Sequence, residues 1–192
     1  FRQTPAWQRL HEEYVFLRTF RQQHGYVGGG QPLLCLVQVV MLWRRQVLLV
    51  QRQQPPGQGN WALPETLVQA GERLIDAACR ALHAVGMEQP GSAIRPRISA
   101  TAVFDVPGRN QLGHAISHAF CVRWPDDAPI PQPADTQKND AGAHRVRWQP
   151  VAQWQDMQPF LHEDHYFIAR HFLDPLAASS TTTPTTNETI TA

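Results

Sequence analysis

The sequence predicts an α/β (α+β) fold, a mixed β-sheet held between helices. Two apolar runs, 33–43 and 46–52, are separated by only two residues, as in a tight hairpin. Apolar residues recur at helical spacing in 4–23, 73–85 and 160–172. Further short apolar stretches at 100–104, 115–124 and 146–150 supply more strands. Several strands with few helices suit a sheet with helices on its faces, although pattern alone leaves more than one α/β or α+β topology open.

Taken in order, residues 4–23 open with Thr4-Pro5, a cap followed by a first-turn proline, and Trp7, Leu10, Tyr14, Leu17 and Phe20 keep helical spacing. Gly28-Gly29-Gly30 and Pro32 break any continuation. The strands 33–43 and 46–52 turn at Arg44-Arg45, a loop of Gln, Pro and Gly covers 53–60, and a helix covers 73–85. Strands 100–104 and 115–124 flank a Pro107-Gly108-Arg109-Asn110 loop. Residues 126–142 are polar and proline-rich, which predicts a flexible excursion before the strand at 146–150 and a closing helix at 160–172. From Ala177 onward the chain is small, polar and Thr-rich, and disorder is expected. The boundaries give a linker helix and Gly-rich loop at 1–31, one domain at 32–176 and a tail at 177–192.

Composition narrows the functional classes. With 42% hydrophobic and 17% charged residues, the chain can bury one substantial core. A formal net charge of +1 gives no electrostatic case for nucleic acid or a membrane surface. No apolar run reaches the length of a membrane span and no secretory leader opens the sequence. Cys35, Cys79 and Cys121 are odd in number and widely spaced, so reduced, mostly buried thiols and a cytoplasmic location are expected. Phe1 in place of a start methionine leads us to expect a processed chain or an excerpt of a longer protein.

Residues 61–87 read W-A-L-P-E-T-L-V-Q-A-G-E-R-L-I-D-A-A-C-R-A-L-H-A-V-G-M. This segment resembles the Nudix box, in which L-P-G-G and an apolar stretch lead to G-E and then a helix with R-E-(apolar)-x-E-E-x-G-(apolar). Leu63, Pro64, Ala70, Gly71, Glu72, Arg80, Leu82, Gly86 and Met87 fit that outline. Ala81, Ala84 and Val85 stand where the helix glutamates are expected, one residue is missing before Gly86, and Glu65 and Thr66 replace the glycine pair. Outside the box, T-P-A-W-Q-R-L-H-E-E-Y-V-F-L-R-T-F, V-L-L-V-Q-R-Q-Q-P-P-G-Q-G-N-W-A-L-P, F-D-V-P-G-R-N-Q-L-G-H-A-I-S-H-A-F and H-E-D-H-Y-F-I-A-R-H-F follow in order. They resemble the C-terminal, ADP-ribose pyrophosphatase half of bifunctional nicotinamide mononucleotide adenylyltransferase/Nudix proteins. The opening helix would then be the junction with an adenylyltransferase half, which this chain lacks. Transcriptional regulators that join a Nudix-like domain to a winged helix-turn-helix are a second relative, but only a low-complexity tail follows Leu176.

The resemblance implies a Nudix fold and Mg²⁺-assisted attack of water on the diphosphate of ADP-ribose, giving AMP and ribose 5-phosphate. Such an attack needs divalent ions to neutralise the diphosphate and acidify water, and Mg²⁺ takes oxygen ligands. Positions 81, 84 and 85 share one helical face, where carboxylates would form a metal platform and Ala81, Ala84 and Val85 form none. Losing it removes several kcal/mol of transition-state stabilisation, at about 1.4 kcal/mol per tenfold in rate. Glu72 and Arg80 remain as a vestigial catalytic pair, with Arg80 left to pair with Glu72 or Asp76. Glu65, Glu72 and Asp76 are the substitute metal ligands available, although Glu65 reads more simply as a solvated loop carboxylate. On the helix itself, Leu74, Ala78, Ala81, Leu82 and Val85 form an apolar stripe that suits a structural role.

Binding contacts come from outside the box. By the resemblance, Arg52 suits bidentate phosphate contact, and Phe104, Arg109 and His114 lie in or beside the ligand loop. Trp61 has the shape to stack on a base or to sit in the core. His162 and His165 sit at i, i+3, which one metal can accept, but with Asp164 between them they read as a helix start. Three functions follow as expectations. The first is a catalytically impaired Nudix domain binding ADP-ribose or a related NAD-derived nucleotide as a sensor or regulatory module. The second is a divergent, Mg²⁺-dependent hydrolase, and the third a structural module for homodimer formation or for docking an adenylyltransferase domain.

Overall fold

The long hairpin closes where the sequence places it, at Arg44 and Arg45, whose φ angles of 43° and 58° give the twist that antiparallel strands require. The computed structural model describes residues 4–23, 33–87, 91–128 and 145–179, without the side chains of 91–92 and 175–179. The Gly-rich loop, most of the 126–142 excursion and most of the Thr-rich tail lie outside the described residues. The chain runs through α1 (Pro5–Gln23), β1 (Leu34–Trp43), β2 (Gln46–Gln51), β3 (Trp61–Ala62), β4 (Glu65–Leu67), α2 (Leu74–Ala84), α3 (Gly91–Ile94), β5 (Ile98–Phe104), β6 (Ala115–Arg123), β7 (Arg145–Pro150) and α4 (His165–Ser179).

One mixed sheet of 7 strands carries the order β3-β2-β1-β6-β5, with β4 on β1 and β7 on β2. Only β1 and β6 pair in parallel among these ladders, from Leu34↔Ala115 to Leu42↔Arg123. As the central strand, β1 is buried along nearly its whole length, which explains its continuous apolar run rather than an alternating one. On one face, Ala78, Ala81, Leu82 and Val85 of the α2 segment pack with Val37, Val39 and Leu48. On the other, Tyr166, Ile168, Ala169 and Phe172 of α4 pack with Val40, Leu49 and Leu63. The apolar stripe predicted for the box helix is therefore core, and Gly86, at φ 83°, ends that helix as Met87 N–H bonds back to the Leu82 carbonyl at 3.0 Å.

Two expectations are corrected. The closing helix starts at His165 and not at 160, because Pro159 sits in a 3₁₀ segment, Gln155–Phe160, and Glu163 takes a positive φ of 46°. It then continues to Ser179, past the expected end at 172. The short strands β3 and β4, which the sequence leaves in loops, exist through pairing with β2 and β1. The opening helix forms as expected, capped by Thr4 Oγ1 accepting the Trp7 N–H at 3.3 Å, but none of its residues is buried. Its inward contacts include Phe20 against the cluster of Leu34, Leu36 and Ala115, the Glu13 carboxylate accepting the Gly57 N–H at 3.3 Å, and Arg21 donating to the Gln111 carbonyl at 3.3 Å. No helix among the described residues is long and apolar enough to cross a membrane.

Candidate functional site

A cleft of about 320 Å³ opens between the end of β2, the loop that follows it, the start of β4 and the C-terminal turn of α2. Its wall includes Arg52, Leu63, Glu65, Ala81, Ala84 and Val85. Ala81, Ala84 and Val85 thus sit together on one cleft wall, as their helical spacing requires. Ala81 and Val85 are buried there and Ala84 is exposed.

Opposite that wall, Glu65 is the centre of a polar network. Register pairs Glu65 with Gln38 across β4 and β1, and the Gln38 amide nitrogen lies 3.3 Å from Glu65 Oε2. His165 Nε2 lies 3.3 Å from the same oxygen. The backbone N–H of Leu63 donates to His165 Nδ1 at 2.9 Å, so Nδ1 presents its lone pair and the ring proton is placed on Nε2. The donors of Gln38 and His165, 3.0 Å apart, therefore converge on one carboxylate oxygen. Arg52 closes the other side: its guanidinium pairs with Glu65 Oε1 and its Nε donates to the Pro56 carbonyl at 2.7 Å. Burial pushes the Glu65 carboxyl up, but His165 and then Arg52 more than offset this and hold it well below the usual carboxylate range. Glu65 is thus an internally bonded anion, not a solvated loop carboxylate, which corrects the sequence expectation.

The box pair closes on itself. Arg80 Nε and Nη2 donate to the two oxygens of Glu72, each at 2.8 Å, and Arg80 also reaches Thr66 Oγ1 and the Leu67 carbonyl, each at 2.7 Å. The bidentate hydrogen bond from Arg80, helped by the Gln69 N–H at 2.9 Å, pulls the Glu72 carboxyl down to about 2. Thr66 lies in the extended β4 and gives Arg80 a further acceptor. Asp76 pairs with Arg95 on the exposed side of α2. Glu65, Glu72 and Asp76 therefore each answer a different arginine, and no group of three or more His, Cys, Asp or Glu residues able to hold a metal exists among the described residues. Among the described residues, those at the box do not fit the divalent ion that the resemblance implies.

The remaining predicted contacts are partly spent inside the protein. Arg109, whose side chain is 5% exposed, donates Nε and Nη2 to Asp164 at 2.7 and 2.8 Å and Nη1 to Ser117 Oγ at 2.6 Å. Beside it, Glu163 accepts from Asn110 Nδ2 at 2.9 Å and from the Gln111 N–H at 2.7 Å, so the 105–114 loop is tied to the start of α4. Asp164 marks the helix start as expected, but its carboxylate is taken by Arg109. Trp61 is half-buried with the Arg147 guanidinium 4.1 Å from its ring centre. Phe104 meets the His171 ring edge-on at 5.6 Å. His114 is half-buried at the start of β6, and its carbonyl accepts the Leu34 N–H at 2.9 Å. Neither Trp61, Phe104, Arg109 nor His114 lines the cleft, while Arg52 does.

Sequence reasoning missed Gln38 and misjudged His165. One signal was present: Gln38 interrupts an otherwise apolar strand, and a buried amide has to find partners. His165, which shares its acceptor Glu65, is 127 residues away and gives no sign of this in the sequence pattern.

A family model described as NUDIX domain matches residues 36–173. Among solved structures, the chain is similar to a bifunctional NMN adenylyltransferase/ADP ribose pyrophosphatase from Francisella tularensis, complexed with AMP and a manganese ion. Identity is 23% and the TM-score 0.75 over 91% of this chain and 51% of that one, so the chain spans about half the length of that protein. It is also similar to the NUDIX domain of Shewanella oneidensis NrtR complexed with ADP ribose, at 20% identity and a TM-score of 0.59 over 82% of this chain and 97% of that one. A mutT/nudix family protein from Listeria innocua matches at 21% identity and a TM-score of 0.60, over 80% of this chain and 100% of that one.

Proposed function

The chain belongs to the Nudix family, and from that premise we propose that it is a catalytically impaired nucleotide-binding domain. Its ligand is ADP-ribose or a related NAD-derived nucleotide, bound in a sensor or regulatory role in the cytoplasm. One observation carries this reading: an open cleft persists at the box while its α2 wall presents Ala81, Ala84 and Val85 and its nearby carboxylates are bonded to arginines. Such a site keeps room for a ligand without the means to bring two divalent ions to a diphosphate. The AMP seen in the Francisella protein and the ADP ribose seen in the NrtR domain support the ligand class. Arg52 is the cation that meets phosphate, and Arg109 acts as a positioning residue that holds the 105–114 loop against α4. The exposed α1, which lies outside the residues matched to the family, is read as the junction to an adenylyltransferase domain.

Titration calorimetry with ADP-ribose, paired with chromatography for AMP at high protein concentration with Mg²⁺ or Mn²⁺, tests the proposal. Saturable binding without AMP is expected. Metal-dependent AMP would overturn the impairment and point to Glu65, the carboxylate lining the cleft, as part of a rebuilt site. Absence of binding would leave a structural module.

A further inference from the structure

α1 turns a narrow stripe toward the domain. Its half-buried residues are Glu13, Phe16, Leu17 and Phe20, at i, i+3, i+4 and i+7, and every other residue from Thr4 to Gln23 is exposed. Three members of that stripe are apolar, as an inward helix face requires. The fourth, Glu13, is a carboxylate that gives up part of its hydration there and needs a donor in exchange. The donor is the Gly57 N–H, 44 residues away in the sequence, at 3.3 Å.

That N–H belongs to the peptide that joins Pro56 to Gly57. The carbonyl of the same peptide accepts Nε of Arg52 at 2.7 Å. A peptide group is planar, with its N–H and C=O on opposite edges. One rigid plate is therefore held by α1 on one edge and by the cleft's Arg52 on the other. Its seat is tight: Pro56 is buried, and the His162 ring lies where a Cβ on Gly57 would go. Beyond Arg52 the row continues through its guanidinium to Glu65 and the buried His165. Hydrogen bonds in such a row polarise one another, so a carboxylate on the peptide N–H makes its carbonyl a stronger acceptor for the guanidinium.

We propose that Glu13 is a positioning residue of the cleft: through the Pro56–Gly57 peptide it sets where the Arg52 guanidinium stands, and so makes α1 part of the ligand site. Residues matched to the family begin at 36, so Glu13 lies outside the matched domain while the peptide it holds lies within it. None of the α1 residues is buried, so the helix docks through contacts such as this one, with Phe20 and the Arg21 bond to the Gln111 carbonyl holding its other end. Coupling of this kind is reciprocal: a ligand that binds better when Arg52 is held tightens the docking of α1 by the same factor. The proposal rests on Arg52 meeting the phosphate of the ligand, as read above.

Two measurements on the full chain test it. Without ligand, solvent exchange of the Arg52 side-chain Nε–H, followed by nuclear magnetic resonance, is expected to quicken about tenfold in Glu13→Ala. It is expected to quicken less in Glu13→Gln, whose amide oxygen still accepts the Gly57 N–H. With ADP-ribose, calorimetry is expected to show binding weakened about fivefold by Glu13→Ala, and no further loss when Glu13→Ala is added to Arg52→Ala. Alanine and glutamine both favour helix, so α1 persists in either variant. Unchanged Arg52 Nε–H exchange in Glu13→Ala overturns the proposal, as does an affinity that Glu13→Ala leaves alone or lowers equally with and without Arg52. If ADP-ribose does not bind the wild type, the reading of the cleft fails, while the exchange measurement still decides whether Glu13 positions Arg52.

Discussion

Oε2 of Glu65 lies 3.3 Å from Nε2 of His165, and that same imidazole receives the Leu63 N–H on its other nitrogen at 2.9 Å. One fully buried ring therefore pins the box loop to the start of α4 and orients the carboxylate that holds Arg52. Glu65 thus brings a charge into the cleft and occupies Arg52, the cation proposed above to meet phosphate.

That occupancy predicts how affinity responds to substitution. Glu65→Gln leaves Arg52 without its carboxylate and is expected to tighten ADP-ribose binding about tenfold. Arg52→Ala removes a charge-assisted contact worth about 1.5–3 kcal/mol and is expected to weaken it by about 10- to 100-fold. Calorimetry on both variants checks the pair. Weaker binding by Glu65→Gln would show that the carboxylate itself contacts the ligand.

The hairpin, the box helix and the strand sequence were legible because each follows a local rule. Arg44-Arg45 spans a two-residue turn, and Leu74, Ala78, Ala81 and Leu82 repeat at helical spacing. The pairing of Arg80 with Glu72 was legible as one of two options, because both residues belong to one motif. What stayed hidden depends on distant partners. β4 exists because Thr66 and Val37 are in register, His165 matters because it meets Gln38 and Glu65, and the late start of α4 turns on a positive φ at Glu163. Periodicity carries no information about such contacts.

Restoring the box glutamates is expected to fail. Ala81 and Val85 are buried against the sheet, and a carboxylate forced into such a place costs several kcal/mol each. Against a domain stability of about 5–15 kcal/mol, Ala81→Glu/Ala84→Glu/Val85→Glu is expected to lose cooperative folding and release no AMP. Ala84→Glu alone, at an exposed position, is expected to stay within about 0.5 kcal/mol of wild type. Thermal melts and AMP assays on both variants decide. Turnover by the triple variant would show that the helix still accepts its original role.

The loop above the cleft gives a paired test of rigidity. Gly57 and Gly59 both take positive φ, 70° and 89°, so alanine at either strains the backbone by about 1–2 kcal/mol. A Cβ on Gly59 meets nothing within 4 Å, whereas one on Gly57 runs into the His162 ring. Gly57→Ala is therefore expected to cost about 1–3 kcal/mol more than Gly59→Ala by chemical denaturation. Equal costs would mean that His162 moves aside freely.

His162 also sets a pH dependence. Burial, then the charge of Arg52, lowers its pKa to about 3, so the folded imidazole stays neutral where an unfolded one, near 6.5, takes up a proton. The unfolded state thus binds more protons between those values. Stability is complete above about pH 6.5 and falls as pH drops toward about 3, by at most about 1.4 kcal/mol per unit. Measuring from pH 7 to 5 keeps clear of Glu72, whose stabilising ionisation is lost only as pH falls below about 4.5 toward its folded value of about 2. Wild type is expected to lose stability across that window in urea titrations, and His162→Leu to show a slope flatter by nearly one proton. An unchanged slope in His162→Leu would mean that another group carries the acid sensitivity.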